Sequence, residues 1–291
     1  MRSDDWYVTE DLDRFLAHAG GFLRSRPDLH TVALTVTESL RMRGLHAYGG
    51  DEPPVFGVME RDGQVRGAYF RTPPYRLNVT PLNADETDAL AAHLVAVGQP
   101  VPGIIGTRET TSGFVRSWQR HTGATSALRQ RQRLYRLGSL LPPRPVPEGR
   151  PRLAGDKDRD QLIRWYREFT EAVGDHAAGD VEAWADHRIA YGGITFWEDP
   201  DGTPVSMCGV TPTVAGQVRI APVYTPPHLR GRGYAGAVTV EVSRTALRSG
   251  AEEVLLFTDL SNTTSNVLYQ RIGYRAVADF EVYDFSGTAD R

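Results

Sequence analysis

The sequence predicts an α/β (α+β) fold laid down twice in tandem. Strand-like runs over 56–60 and 65–70 flank Asp62-Gly63, and runs over 194–197 and 205–210 flank Asp201-Gly202. An Asp-Gly step between such runs is a hairpin signal, because both residues tolerate the positive φ of a tight turn between twisted strands. After each hairpin come another strand, a helix-like run and a short apolar strand. Between the two sets lies Leu141-Pro-Pro-Arg-Pro-Val-Pro-Glu-Gly-Arg-Pro-Arg152, where five prolines in twelve residues exclude a helix interior or central strand and favour an extended tether. The expected division is a first domain over 1–140, a linker over 141–152 and a second domain over 153–291.

In the first half the third strand is Arg76-Leu-Asn-Val-Thr-Pro81, followed by a helix over 85–97 and an apolar strand over 103–106. The second half opens with a helix over 158–173, in which Leu162, Ile163, Tyr166 and Phe169 recur at helical spacing. A second helix covers 181–190. After the hairpin, Arg219-Ile-Ala-Pro-Val-Tyr-Thr-Pro226 echoes the first-half strand. The next helix runs to Arg248 and is closed by Gly250, placed where a left-handed residue ends a helix. Its Val238-Thr-Val-Glu-Val242 alternates like a strand, so context and not propensity assigns it. A buried strand over 253–257, a helix from an Asn262 or Thr263 cap to Gly273, and a strand over 276–285 complete the order.

The 291 residues, 40% hydrophobic and 24% charged, suffice for two ordinary cores. A formal net charge of −3 supplies no global basic field for nucleic acid or an anionic membrane. The run Gln130-Arg-Gln-Arg133 with Arg136 reads as a solvated basic face. Cys208 is the single cysteine, so no internal disulfide or cysteine-based metal cluster is possible, and its apolar neighbours mark it as a buried strand thiol. His18, His30, His46, His93, His121, His176 and His187 lack ligand spacing, and no metal site is expected. No apolar run approaches the ~20 residues that span a bilayer, and the first residues lack a basic-then-apolar signal. A soluble, cytoplasmic protein is the expectation.

Arg230-Gly231-Arg232-Gly233-Tyr234-Ala235 stands between a strand and a helix. A glycine-rich turn opening a helix aims several N–H groups and the positive end of the helix dipole at one spot, which suits phosphate oxygens. Gly231-x-Gly233-x-x-Gly236, with Asp259 downstream, satisfies the dinucleotide-binding fingerprint. Context opposes that match. Pro226, Pro227, His228, Leu229 and Arg230 separate the strand from the first glycine, and too little chain follows Asp259 to complete a doubly wound sheet.

Arg230, Gly233 and Ala235 also fill the pattern Arg/Gln-x-x-Gly-x-Gly/Ala. One helix and one strand later comes Asn262-Thr-Thr-Ser265-Asn266-Val-Leu268-Tyr269-Gln-Arg271-Ile-Gly273-Tyr274. In that order the segments resemble motifs A and B of the GNAT (GCN5-related N-acetyltransferase) superfamily, over about residues 154–285. The resemblance implies tandem GNAT-like folds, each a mixed twisted sheet flanked by helices. It also implies acetyl-CoA, or another acyl-CoA, as the cofactor. Arg230, Gly231, Arg232, Gly233, Tyr234 and Ala235 would hold its pyrophosphate, and Val223, Tyr224 and Thr225 would pair with its pantetheine arm. A splay or bulge in that strand, with which Pro222 is consistent, would free N–H groups for the thioester oxygen. The first half carries Asn83-Ala-Asp-Glu-Thr where the second has its phosphate loop. Asp85 and Glu86 there would answer the helix dipole and repel a pyrophosphate, so that copy is expected to be degenerate.

By the same resemblance Tyr269 is the general acid. A phenol with a pKa of about 10 is protonated at neutral pH and can donate to a departing thiolate. Asn262 matches the residue that ties the splayed strand or the pantetheine, and serves equally as a helix cap; Asn266 is a candidate coenzyme contact. Many relatives place a glutamate on the strand before the phosphate loop, but residues 217–225 contain no carboxylate. Asp259, Glu198, His228 or water remain as bases. Trp165, Trp184 and Trp197 either border the acceptor site or pack helix faces. The expected activity is acyl transfer to a small-molecule amine. A coenzyme-A-binding regulatory module without catalysis is the alternative.

Overall fold

The computed structural model describes residues 6–174 and 180–287. Two compact units are present. The first gathers the described residues within Met1–Arg133, Asp259–Ser261 and Ala278–Arg291, the second those within Leu134–Thr258 and Asn262–Val277. The succession β-α-α-β-β-β-α-β-α-β occurs twice along the chain. In the first pass it is β1 (Trp6–Thr9), α1 (Leu12–Ser25), α2 (Thr31–Arg43), β2 (Val55–Arg61), β3 (Gln64–Arg71), β4 (Leu77–Val79), α3 (Ala84–Ala96), β5 (Gly103–Thr107), α4 (Arg108–Thr122) and β6 (Thr125–Leu137). In the second it is β7 (Arg150–Leu153), α5 (Arg159–Ala172), α6 (Val181–Ala190), β8 (Ile194–Glu198), β9 (Pro204–Val210), β10 (Gln217–Tyr224), α7 (Tyr234–Arg248), β11 (Glu253–Asp259), α8 (Thr263–Arg271) and β12 (Tyr274–Ser286).

In the first unit β1 to β4 pair antiparallel, β4 and β5 pair parallel, and β12 runs antiparallel to β5 from Phe280↔Thr107 to Asp284↔Gly103. That last pairing draws residues 278–286 out of the second half, where the sequence alone would have left them. Leu90 and Leu94 of α3 and Phe114 and Trp118 of α4 close over Tyr69, Leu77 and Ile104. The basic run over residues 130–133, with Arg136, lies on β6; Arg136 bonds Glu253 at 3.0 Å within the second unit, and the arginines before it, with Arg129, find acids within the first. Arg129 bonds Asp284 at 2.5 Å, Arg131 bonds Glu281 at 3.3 Å, and Arg133 bonds Asp279 at 2.6 and 2.9 Å. Opposite charges on neighbouring strands stabilise the pairing they flank.

In the second unit β7, β8, β9 and β10 pair antiparallel in that order, and β10 pairs parallel with β11. The twofold alternation of side chains along a strand divides this sheet into two faces. Phe196, Met207 and Tyr224 meet Leu162, Ile163 and Trp165 of α5 and Ala185 of α6. Trp197, Cys208, Val218 and Ile220 meet Val238 and Val242 of α7 and Tyr269 of α8. The end of the expected tether departs from the sequence reading: Arg150–Leu153 is a strand, paired from Arg150↔Glu198 to Leu153↔Thr195. The segment before it is tied down as well, because Trp197 Nε1 donates to the Glu148 carbonyl at 3.0 Å. No described helix is long and apolar enough to cross a membrane.

Candidate active site

The register of β10 against β9 is Ile220↔Val210 and then Val223↔Cys208. Between these pairs Ala221 and Pro222 face the single residue Gly209, so a β-bulge lies at Ala221-Pro222. Gly209 makes the bulge possible: a Cβ there would lie 2.5 Å from the Ala221 carbonyl oxygen and 2.8 Å from Pro222 Cδ. The parallel ladder to β11 stops at Ile220↔Leu256, although β10 runs on to Tyr224 and β11 to Asp259. Past the bulge, β10 is held from the β9 side. Ser206 Oγ donates to the Tyr224 carbonyl at 3.1 Å and lies 2.8 Å from Thr225 Oγ1. Val223 and Tyr224, with Thr225 just beyond them, therefore lie past the end of the parallel ladder to β11.

The glycine-rich loop over residues 230–235 follows directly. A 3₁₀ turn over Pro227–Leu229 leads to Arg230, whose Nε donates to the Thr225 carbonyl at 3.0 Å. Gly231 and Gly233 have φ of 77° and 85°, the left-handed region that glycine enters without a Cβ penalty. Gly231 to Gly233 are exposed, Tyr234 and Ala235 half-buried. Helix α7 begins with no side-chain cap, and its first intrahelical bond is Ala237 N–H to the Gly233 carbonyl at 3.1 Å. No side chain caps the N–H groups of its first turn, an arrangement whose exposed donors and dipole suit an anion.

The corresponding helix end of the first unit is closed. Asn83 Oδ1 accepts from Glu86 N–H, and Glu86 Oε2 accepts from Asn83 N–H, both at 2.9 Å. Glu86 is buried. Thr110 Oγ1 accepts from the Leu82 N–H at 2.8 Å and donates to the Leu82 carbonyl at 3.2 Å. The capping box engages one N–H of this first turn, that of Glu86, and places the acidic Asp85 and Glu86 where α7 has no acid.

Residues 204–283 match the family model of FR47-like proteins. The chain is also similar to the crystal structure of a GCN5-related N-acetyltransferase from Sphaerobacter thermophilus, with a TM-score of 0.62 and 20% identity over 96% of this chain and 95% of that one. The fold is that of the GNAT superfamily. A GNAT acetyltransferase from Colwellia psychrerythraea gives a TM-score of 0.62 at 10% identity, covering 97% of this chain and 99% of that chain. A tandem GNAT protein from the clavulanic acid biosynthesis pathway, solved without AcCoA, gives 0.55 at 12% identity, covering 98% and 99%. No curated protein matches the sequence.

Within this GNAT fold residues 263–271 of the second segment form α8. Asn262 caps the helix, accepting the Ser265 N–H at 3.0 Å. Asn266 accepts the Tyr135 hydroxyl at 2.9 Å and donates to the Asn262 carbonyl at 2.8 Å. Tyr135, fully buried on β6, also accepts from Gln270 at 3.0 Å. Its part in holding α8 has no local sequence signal, since it follows an arginine run and its partners lie more than a hundred residues away. Tyr269 is buried against Tyr274, ring centroids 6.1 Å apart. Desolvation, and secondarily Cys208, hold its phenol well above the usual tyrosine value. Burial pushes the Cys208 thiol up to about 12, so it stays a protonated core residue and no nucleophile.

The carboxylates named as bases are already engaged. Glu198 is buried and bonded by Arg152 and Arg150, and Arg152 first among causes holds it below the ordinary carboxylate range. Asp259 groups with the first unit, where it accepts from Gln130 at 3.0 Å and from the Ser261 N–H at 2.6 Å; burial works against these bonds, but the net shift is downward. His228 is exposed on the 3₁₀ turn. His176 lies outside the described residues. Trp165 and Trp197 pack the two faces of the sheet, while Trp184 stacks on Tyr166 at 3.7 Å. One carboxylate escaped the sequence reading. Glu168 of α5 accepts the Tyr224 hydroxyl at 2.8 Å, and it became visible only when the fold brought α5 onto β10.

Proposed function

We propose that the second unit is an acyl-CoA-dependent N-acyltransferase, with acetyl-CoA as donor and a small-molecule amine as acceptor. The observation that carries this reading is the uncapped start of α7 behind two left-handed glycines, set beside a strand that leaves its neighbour at a bulge. When bound, acetyl-CoA supplies an acyl group activated as a thioester. Arg230, Gly231, Arg232, Gly233, Tyr234 and Ala235 bind its pyrophosphate through backbone N–H groups and the helix dipole. Backbone groups of Val223, Tyr224 and Thr225, past the end of the β11 ladder, orient the pantetheine and meet the carbonyl oxygen. Tyr269 holds a proton on its hydroxyl for the leaving sulfur. Asn262 and Asn266 contact the coenzyme with whatever bonding capacity their cap and Tyr135 bonds leave.

The absence of a carboxylate on β10 favours a second reading, a coenzyme-binding module without transfer. Thiol release from acetyl-CoA in the presence of a panel of amines separates the two. Release that depends on an amine supports the transferase. Coenzyme binding without any amine-dependent release supports the module, and no binding at tens of micromolar, about the range of ordinary coenzyme KM values, removes both.

A further inference from the structure

We infer that Glu168 is the carboxylate that takes the proton from the acceptor's ammonium group, held in position by the Tyr224 hydroxyl. This rests on the acyl-transfer reading above and names the base that reading lacks. Three observations carry it. First, Tyr224 lies one residue beyond Val223 on the parted end of β10, and its hydroxyl donates to Glu168 Oε2 at 2.8 Å. A strand without an acid of its own thus acquires one from a packed helix. Second, the two proton-handling groups lie on opposite faces of the sheet. Tyr269 packs with Cys208 and Val223 under α7, whereas Tyr224 packs with Trp165 and Phe196 under α5. A nucleophile and a leaving group on an acyl carbon need separate approaches, and an acid on one face with a base on the other provides them. Third, Glu168 lines an open groove of about 500 Å³ that also carries Arg164, Arg167 and Glu171 of α5 and Glu182 of α6. An acceptor can therefore reach the carboxylate from solvent.

The step is a proton transfer. The ammonium gives one proton to a Glu168 oxygen, the carboxylate becomes a carboxylic acid, and the freed nitrogen lone pair is the nucleophile. The proton then returns to water through the groove. Tyr224 stays protonated throughout, because burial and then Glu168 push its phenol up to about 12. The charged groups lining the groove or acting on Tyr224 are Arg159, Asp160, Arg164, Arg167 and Glu171 on α5, Glu182 on α6, and Arg230 beyond β10.

The test compares primary alkylamines, cationic at pH 7, with arylamines, which are already neutral there. In Glu168→Gln, whose amide oxygen still accepts from Tyr224, turnover of the best alkylamine should fall about 10²-fold at pH 7 and that of an arylamine less than about 5-fold. The alkylamine rate should recover as pH rises toward the amine's own pKa, and Glu168→Asp should retain more of it than Gln does. Binding of acetyl-CoA, followed by native mass spectrometry, should be unchanged in both variants. Equal losses for the two amine classes, or no loss, would overturn the assignment to Glu168 while leaving the transferase intact. Failure of the unsubstituted protein to turn over any amine would instead remove the acyl-transfer reading and this inference with it.

Discussion

Replacing Tyr269 by phenylalanine should lower amine-dependent thiol release by about 10²–10³-fold, the usual worth of a positioned general acid. The ring fills the core beside Tyr274, Ile272 and Cys208, and phenylalanine keeps that packing, so the melting temperature should hardly move. Affinity for acetyl-CoA should also be retained, because the loop and the parted strand are untouched. The pH profile gives an independent check. Burial holds the phenol above its ordinary 10.0, so Tyr269 should impose no alkaline fall in rate below about pH 10. Unchanged turnover in the variant, or an alkaline limb near neutrality that disappears with the hydroxyl, would remove Tyr269 from this role.

The second large effect concerns stability. Arg152 binds Asp158 at 2.7 and 2.9 Å and also Glu198, whose side chains are only 9% and 5% exposed. Arg152→Met should cost about 3–5 kcal/mol at neutral pH, because it takes from buried Asp158 its ion-pair partner and leaves buried Glu198 with Arg150 alone. Arg152 is the first cause holding both acids below their ordinary values. Their contribution is therefore complete above the unfolded carboxylate range and is lost as pH falls through the lowered folded values. The variant should differ most from the parent near pH 7 and converge with it in acid. Denaturant unfolding across pH measures this directly; a cost below about 1 kcal/mol at pH 7 would show an ordinary surface pair.

The second half was legible because its signals are local. The apolar stripe of α5, the Asp201-Gly202 turn, the glycines of the loop and the Asn262 cap each lie within one element, and each stands where the sequence put it. In the first half the Asp62-Gly63 hairpin is the strongest local signal. Helix α1 carries a weaker one, Leu12, Phe15, Ala19 and Leu23 behind an Asp11 cap. Strand β6 was harder. Its buried apolar content is Leu134 and Tyr135, and the partners of its arginines lie 117 to 155 residues away. Glu168 was hidden for the same reason. Its partner Tyr224 lies 56 residues away, and only the packing of α5 on β10 brings the two together.

The central claim is that one loop, that of Gly233, holds the coenzyme, and that its counterpart at Asn83 and Glu86 does not. Native mass spectrometry of the full chain with acetyl-CoA tests it most directly. One equivalent should bind per chain, and Gly233→Asp should abolish binding while the far-ultraviolet spectrum is kept. The substitution sets a carboxylate against the phosphate site at a left-handed position. Two equivalents per chain, or undiminished binding in Gly233→Asp, would contradict the account.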